Sequence, residues 1–335
     1  MPKGQDVVEL AARLMEIDST SGHEGPVIDW LENYLARADW TVRRIPVTAG
    51  RDDLLATRGA DPKVTFSTHL DTVPPFIPPR LDGDRLWGRG ACDAKGIAAA
   101  MILAAERLRA RTTGVALLFV VGEEVSHDGA EAANAIPNTS KVLINGEPTE
   151  STLANGTKGA MRFNLRTRGQ AAHSAYPHLG KSAISELVRL LAEIEMLELP
   201  NDAHLGDTTI NIGMISGGVA DNVMAPEAEA RLMARLVTPP AAFEALLRSW
   251  VGDRAELEIG ITVPALRLGT LPGFKTSVAA FATDIPKLGN WGTPYLFGPG
   301  SIHFAHRDDE HIAVPELRGA VDAYVRIAEQ ALGGR

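Results

Sequence analysis

Three short apolar runs of this chain each end in side chains able to hold a cation. Val64-Thr65-Phe66-Ser67 runs into Thr68-His69-Leu70-Asp71, Leu117–Val121 into Gly122-Glu123-Glu124, and Lys141–Ile144 into Asn145-Gly146-Glu147. Such runs, alternating with a helix-like stretch over Gly96–Ala110, are the pattern of βαβ units and a largely parallel sheet. Open α/β sheets bind ligands at the carboxyl ends of their strands, so the three segments are expected to converge on one crevice. Asp93, in the segment Gly88–Gly96 just ahead of the helix, is expected to join them.

The flanking texture sets the domain plan. Val7, Val8, Leu10, Ala11, Leu14 and Met15 recur near a 3.6-residue period, predicting a helix that stops at the turn-rich Asp18–Gly22. A second helix is expected over Pro26–Ala38. From about Ala160 the order becomes strand (Met161–Arg168), helix (Ser182–Met196), strands (Thr208–Ser216, Glu227–Val237), helix (Ala241–Val251) and strand (Ala255–Thr262). That is the split β-α-β-β-α-β arrangement of a ferredoxin-like unit. After Pro264 the strand signal Tyr295–Phe297 and the helix signal Val314–Leu332 return to complete the first sheet. At about 150 residues per domain, 335 residues accommodate this plan. The expectation is an α/β domain with a mostly parallel sheet over 1–158 and 268–335, interrupted by an inserted α+β domain over 159–267.

Composition excludes several classes. Hydrophobic residues make up 45% and charged residues 22%, enough for full cores and against disorder. Lys+Arg 33 against Asp+Glu 42 leaves a net charge of −9, which argues against nucleic acid or an anionic membrane as partner. No apolar stretch approaches the roughly 20 residues of a membrane helix, and no secretory signal is read at MPKGQDVVEL. A single cysteine, Cys92, allows no intrachain disulfide and fits a reducing, cytoplasmic setting. Cys92 is read as a small buried residue, with direct ligation as the alternative.

One histidine or acid after a strand is ordinarily a solvated loop residue, and His69-x-Asp71 alone is a weak signal. Four such sites at strand ends are collectively much stronger. Adjacent acids such as Glu123-Glu124, fed by an apolar strand, are costly to bury unless a cation or protons offset them. Carboxylates and imidazoles suit hard-to-borderline metals, and a metal pair needs one shared carboxylate with others around it. His69, Asp93, Glu124, Glu147 and one further histidine would supply that set.

With these residues assembled, the chain resembles the family of acetylornithine deacetylase, succinyl-diaminopimelate desuccinylase, aminoacylase and the bacterial glutamate carboxypeptidases. The resemblance is carried by Ser67–Pro74, Gly88–Gly96, Gly122-Glu123-Glu124, Gly146-Glu147-Pro148-Thr149, Gly169-Gln170-Ala171-Ala172-His173-Ser174 and His306–Glu310. It implies a di-zinc hydrolase domain with an inserted lid that also forms a homodimer, two Zn²⁺ as cofactor, and Co²⁺ or Mn²⁺ as alternatives. It further implies His69 and Glu147 as ligands of one metal, Asp93 as the bridging carboxylate, and Glu124 with a C-terminal histidine as ligands of the other. Gly298–His306 holds two histidines; the pattern of an Ala-His pair followed by Asp-Glu aligns with His306, leaving His303 as a loop residue. Glu123 would be the general base, Asp71 the acid that fixes the imidazole of His69, and His173 the group that stabilises the tetrahedral oxyanion. A water shared between two metals is partly hydroxide at neutral pH, and Glu123 would take its proton during attack on the amide carbonyl.

Substrate contacts are expected from the inserted domain. Asn222 lies in Ser216–Pro226, which resembles the substrate-contacting lid loop. Where the family often reads Asp-x-Arg, this chain has Met233-Ala234-Arg235, so Arg235 is either a partner for a substrate carboxylate or a surface strand residue. Lys158 is a weaker candidate for the same task. The leading reading is removal of an acyl, notably acetyl, group from an N-acyl amino acid, most like acetylornithine deacetylase. The alternatives are a desuccinylase, a di- or carboxypeptidase, and, in another class, a non-catalytic protein that binds amino-acid derivatives. The last is expected to lack the base or the bridging ligand, and Asp93, Glu123 and Glu124 are all present.

Overall fold

The computed structural model describes residues 6–108 and 114–333. The chain divides into two compact units: Met1–Asn155 with Leu268–Ser277 and Thr283–Arg335, and Gly156–Arg267 with Val278–Ala282.

In the first unit the helix over Val7–Met15 starts where the Asp6 side chain accepts the Val8 N–H at 3.3 Å, a short-polar N-cap. The helix expected over Gly96–Ala110 runs from Lys95 to Leu108, and its predicted end at Ala110 lies outside the described residues. It is apolar on nearly every side because it packs against the sheet and against the helices Val7–Met15 and Val314–Gly333.

The strands of this unit lie in the order Thr41–Thr48, Arg51–Arg58, Val115–Val120, Val64–His69, Val142–Asn145, Thr293–Phe297 and the start of Leu153–Thr157. The four strands from Val115–Val120 to Thr293–Phe297 are mutually parallel, while the margins pair antiparallel. The largely parallel expectation therefore holds for the centre only. Val64–His69 and Val115–Val120 are buried at every position, which explains their unbroken apolar sequence. Because the four central strands share one direction, Asp71, Glu123-Glu124, Glu147 and the segment after Phe297 all leave the sheet at the same end.

Asp53, in the strand Arg51–Arg58, is fully buried. One carboxylate oxygen accepts the Val121 N–H at 3.0 Å and the other has no hydrogen-bond partner among the described residues. Burial pushes its pKa up to about 8, with the Asp284 and Asp128 carboxylates adding to the shift. Between the ordinary carboxylate range and about pH 8 the folded chain keeps a proton that the unfolded chain releases, so stability falls as pH rises through that window. Asp53→Asn is expected to raise Tm by several degrees at about pH 7.5 and hardly at all at about pH 4.5. Thermal melts across pH check this; an equal shift at both pH values contradicts it.

In the second unit the strands lie in the order Thr209–Gly217, Glu227–Leu236, Gly159–Arg168 and Glu256–Val263, all antiparallel. With the helices Ala183–Glu193 and Pro240–Val251 this gives the split β-α-β-β-α-β topology. Its core joins Met161, Phe163 and Leu165 to Leu187, Phe243 and Leu247. The edge strand Thr209–Gly217 leaves Ile212, Met214 and Ile215 exposed. Among the described residues no helix is long and apolar enough to cross a membrane.

Candidate metal centre

Cross-strand hydrogen bonds bring the strand ends into register. The Thr68 hydroxyl donates to the Gly146 carbonyl at 2.8 Å and the Gly146 N–H donates to the Ser67 carbonyl at 2.8 Å. His69 and Glu147 are thereby neighbours, with Nε2 4.0 Å from a Glu147 carboxylate oxygen. After Val115–Val120 the chain turns at Gly122, whose φ of +75° favours glycine, and a Cβ there would lie 2.3 Å from Asp128 Oδ1. The turn directs the N–H groups of Glu123 and Glu124 onto the two carboxylate oxygens of Asp71, at 3.0 and 3.1 Å.

Asp93 lies at the middle of the cluster. Its Oδ1 is 3.0 Å from His69 Nε2 and its Oδ2 is 3.3 Å from His306 Nε2. His306 Nε2 is also 3.0 Å from Glu124 Oε1. Ligand-capable atoms of His69, Asp93 and Glu124 all lie within 4.8 Å of one another. A second such group, Glu123, His127 and Asp284, adjoins the first through Glu123.

Electrostatics follow from crowding carboxylates in a buried place. Burial, reinforced by the Glu147 carboxylate, pushes Glu123 well above the usual carboxylate range. Burial likewise raises Glu147 strongly, with His69 opposing and Asp93 adding to the shift. It raises Glu124 against the opposing hydrogen bond from His306. Burial opposes protonation of His69, but the Asp71 and Asp93 carboxylates outweigh it and hold the imidazole well above its usual range. The Asp93 and Glu124 carboxylates carry His306 up to about 10. Burial would raise Asp93, yet His306 and His69 hold it below the usual range.

The donor set fits two divalent cations. Each oxygen of Asp93 faces a different imidazole, as a bridging carboxylate requires, and Glu147 and Glu124 flank the two sides. The donors are nitrogen and oxygen only: the Cys92 thiol points to Glu310 Oε1 at 3.6 Å and to the Ser301 carbonyl. Three carboxylates with raised proton affinity are what bound cations would neutralise.

His69, Asp71, Asp93, Glu123, Glu124, Glu147 and His306 are thus brought together. Asp71 does more than the sequence expectation. His69 Nδ1 is 2.9 Å from the Asp71 main-chain carbonyl oxygen and 3.6 Å from its carboxylate, which also takes the Glu123 and Glu124 N–H groups and the Ser21 hydroxyl at 2.8 Å. His303 is exposed, with its N–H on the Ser301 hydroxyl. His306→Ala is therefore expected to lower bound metal by about one equivalent while His303→Ala leaves it unchanged. Elemental analysis of the two variants checks this, and the reverse result reassigns the ligand.

Four expected residues belong to the inserted unit. His173 is exposed, its Nδ1 accepting the Ala175 N–H at 3.2 Å. Asn222 is exposed and its carbonyl accepts the Ser174 N–H. Lys158 donates to the Asp207 carbonyl at 2.6 Å. Arg235 is half-buried in the strand Glu227–Leu236, opposite Thr209 and Ala160. Sequence reasoning missed His127 and Asp284, joined at 2.8 Å beside Glu123, and the Ser21 hydroxyl on Asp71. No motif marks Asp284; only its contact 157 positions away does.

Residues 155–257 match the peptidase dimerisation domain model. A peptidase M20 domain-containing protein, C757.05c, of Schizosaccharomyces pombe is 37% identical over 98% of this chain and 85% of its own length. A probable carboxypeptidase of Paracoccidioides lutzii is 38% identical over 97% of this chain and 85% of its own. An M20 family metallo-carboxypeptidase, Sso-CP2, from Sulfolobus solfataricus shares the fold at a TM-score of 0.78 and 15% identity, over 98% of this chain and 99% of its own.

Proposed function

As the chain belongs to the M20 peptidase family, we propose that it is a two-metal amide hydrolase releasing a terminal amino acid from a short peptide or an N-acyl amino acid. The observation that carries this reading is Asp93, set with one oxygen toward each of two imidazoles, the second of which also meets Glu124. The similarity to a probable carboxypeptidase favours peptides. The acetylornithine deacetylase-like reading stands second, supported by the resemblance of Gly298–Ser301 and Ala305–Glu310 to that branch.

His69 and Glu147 would hold one cation, Glu124 and His306 the other, and Asp93 both. Zn²⁺, or Co²⁺ or Mn²⁺ in its place, would supply a Lewis acid and a water of lowered pKa. Glu123 takes a proton from the attacking water as the amide carbonyl is attacked and returns it to the leaving nitrogen. Asp71 holds the peptide groups of Glu123 and Glu124 in place for this task. From the inserted unit, His173 is assigned as oxyanion donor and Asn222 and Arg235 as substrate contacts. Lys158 is the weakest of these assignments because its ammonium is already held by Asp207. A homodimer through this unit belongs to the same reading, supported by the dimerisation-domain match and the exposed apolar edge strand Thr209–Gly217.

A hydrolysis screen tests the reading, using protein loaded with Zn²⁺ or Co²⁺ against dipeptides, C-terminally free and amidated tripeptides, N-acetylornithine and N-succinyl amino acids. Preference for free C-terminal peptides supports the carboxypeptidase reading, and preference for N-acetylornithine moves the chain to the deacetylase branch. Inertness toward all of them refutes the proposal.

A further inference from the structure

Two loops from opposite ends of the chain meet in a buried ion pair that the chemistry above does not use. Arg89 Nη1 donates to Glu310 Oε2 at 2.7 Å, and neither side chain is exposed by more than 2%. The other Glu310 oxygen accepts the N–H groups of Cys92 and Asp93, both at 3.2 Å. Arg89 Nη1 also donates to the Arg307 carbonyl at 3.0 Å, on the residue that follows His306. The main chain adds a further tie, the Gly88 N–H donating to the Glu310 carbonyl at 2.9 Å.

We propose that Glu310, held by Arg89, is the positioning residue that fixes Asp93 and His306 at the separation two-metal binding requires. The inference rests on the two-metal reading of the site. Three observations support it. Asp93 and His306 lie 213 positions apart and on separate loops, yet their side chains must stay 3.3 Å apart, and the Arg89–Glu310 pair spans both loops. His306 adopts a φ of +65°, uncommon for a non-glycine residue, and Arg89 holds the carbonyl of Arg307, the residue that follows it. Arg89 Nε and Nη2 are buried with no hydrogen-bond partner among the described residues, a costly arrangement for a pair that only filled space. An apolar pair of similar volume usually serves stability at least as well as a buried ion pair. Asp71 provides a parallel on the opposite loop, where its carboxylate receives the N–H groups of Glu123 and Glu124.

The test compares Arg89→Met/Glu310→Leu, which replaces the pair by apolar groups, with Arg89→Met/Glu310→Gln, which keeps a carbonyl for the Cys92 and Asp93 N–H groups. The readouts are the Zn²⁺ dissociation constant by competition with a chromophoric chelator and the Tm of the metal-free protein. The Leu variant is expected to melt within a few degrees of the wild type and to bind Zn²⁺ about 10–100-fold more weakly, with the Gln variant, which restores the hold on Asp93 but not the Arg89 clamp on the Arg307 carbonyl, recovering part of the loss. Wild-type affinity in the Leu variant overturns the proposal, as does a Gln variant impaired as badly as the Leu variant. Should the Leu variant not fold, Glu310→Asp, with the same charge one methylene shorter, carries the same expectation, and unchanged Zn²⁺ affinity there overturns it. A wild-type protein that takes up no metal overturns the two-metal reading beneath it and this proposal together.

Discussion

Glu123→Gln is expected to leave metal content near that of the wild type and to lower kcat by about 10²–10⁴-fold, the contribution of a positioned proton carrier. The two side chains have the same shape, and the Glu123 N–H keeps its hydrogen bond to Asp71 because it is a main-chain group. What goes is the ability to take a proton and return it. The substitution has a second signature, opposite in sign. Burial and the Glu147 carboxylate raise the proton affinity of Glu123, so in metal-free protein the acid costs stability as pH climbs from the ordinary carboxylate range. Glutamine removes that cost, so metal-free Glu123→Gln is expected to melt higher than metal-free wild type near neutral pH. Activity lost while stability is gained separates a functional carboxylate from a structural one. Retained turnover with lost metal refutes the base assignment.

The parts of the fold that were legible are those whose signal is local. Each half of the insertion repeats a strand, a helix and a strand, with buried apolar positions at alternate residues in Glu227–Leu236 and at helical spacing in Ala183–Glu193. The four central strands of the catalytic unit are marked by apolar runs. The hairpin Thr41–Thr48/Arg51–Arg58 carried no such mark. Arg43, Arg44, Arg51, Asp52 and Asp53 break its pattern, and Arg44 and Arg51 are accommodated by ion pairs with Glu32 and Glu24 that only the folded chain assembles. That hairpin supplies an antiparallel margin of the sheet, for which the sequence carried no signal.

The site divides along the same line. Residues at strand ends were legible because direction and order alone place them together. Partners of those residues were not. Asp71 stands two positions beyond His69, which suggests a contact with the imidazole. The Asp71 main-chain carbonyl and carboxylate both face that imidazole, and the carboxylate also holds the next loop. Asp284 is a single acid without a motif, Glu310 closes the His306–Glu310 motif with nothing to show its partner, and each acquires its contact from a residue more than 150 positions away. Spacing cannot report such contacts; only the closed sheet makes them.

Metal removal gives the other large effect, and its pH dependence carries a definite sign. Exhaustive chelation is expected to reduce hydrolysis at least about 100-fold, with Zn²⁺ or Co²⁺ restoring it, because the Lewis acid and the activated water leave together. Stability should fall as well: at free metal about 100-fold above its Kd, each site contributes about 2.7 kcal/mol. In the chelated protein the groups with raised proton affinity are Glu123, Glu124, Glu147, His69 and His306. For each, the folded chain holds a proton more tightly than the unfolded chain does. The stability linked to that proton is complete below the unfolded pKa and is lost as pH rises toward the folded one. Asp93 and Asp71 shift the other way, so their stabilisation is present above the ordinary carboxylate range and is lost only on acidification below it. The raised carboxylates therefore pull stability down from about pH 5 upward and the two histidines from about pH 6.5 upward, and cations that displace those protons flatten the slope. The Tm difference between metal-loaded and chelated protein is expected to widen from about pH 5.5 to about pH 8.5. A difference that stays constant or narrows across that range would mean that the cluster does not exchange protons for metal, and would sink the two-metal reading at its electrostatic root.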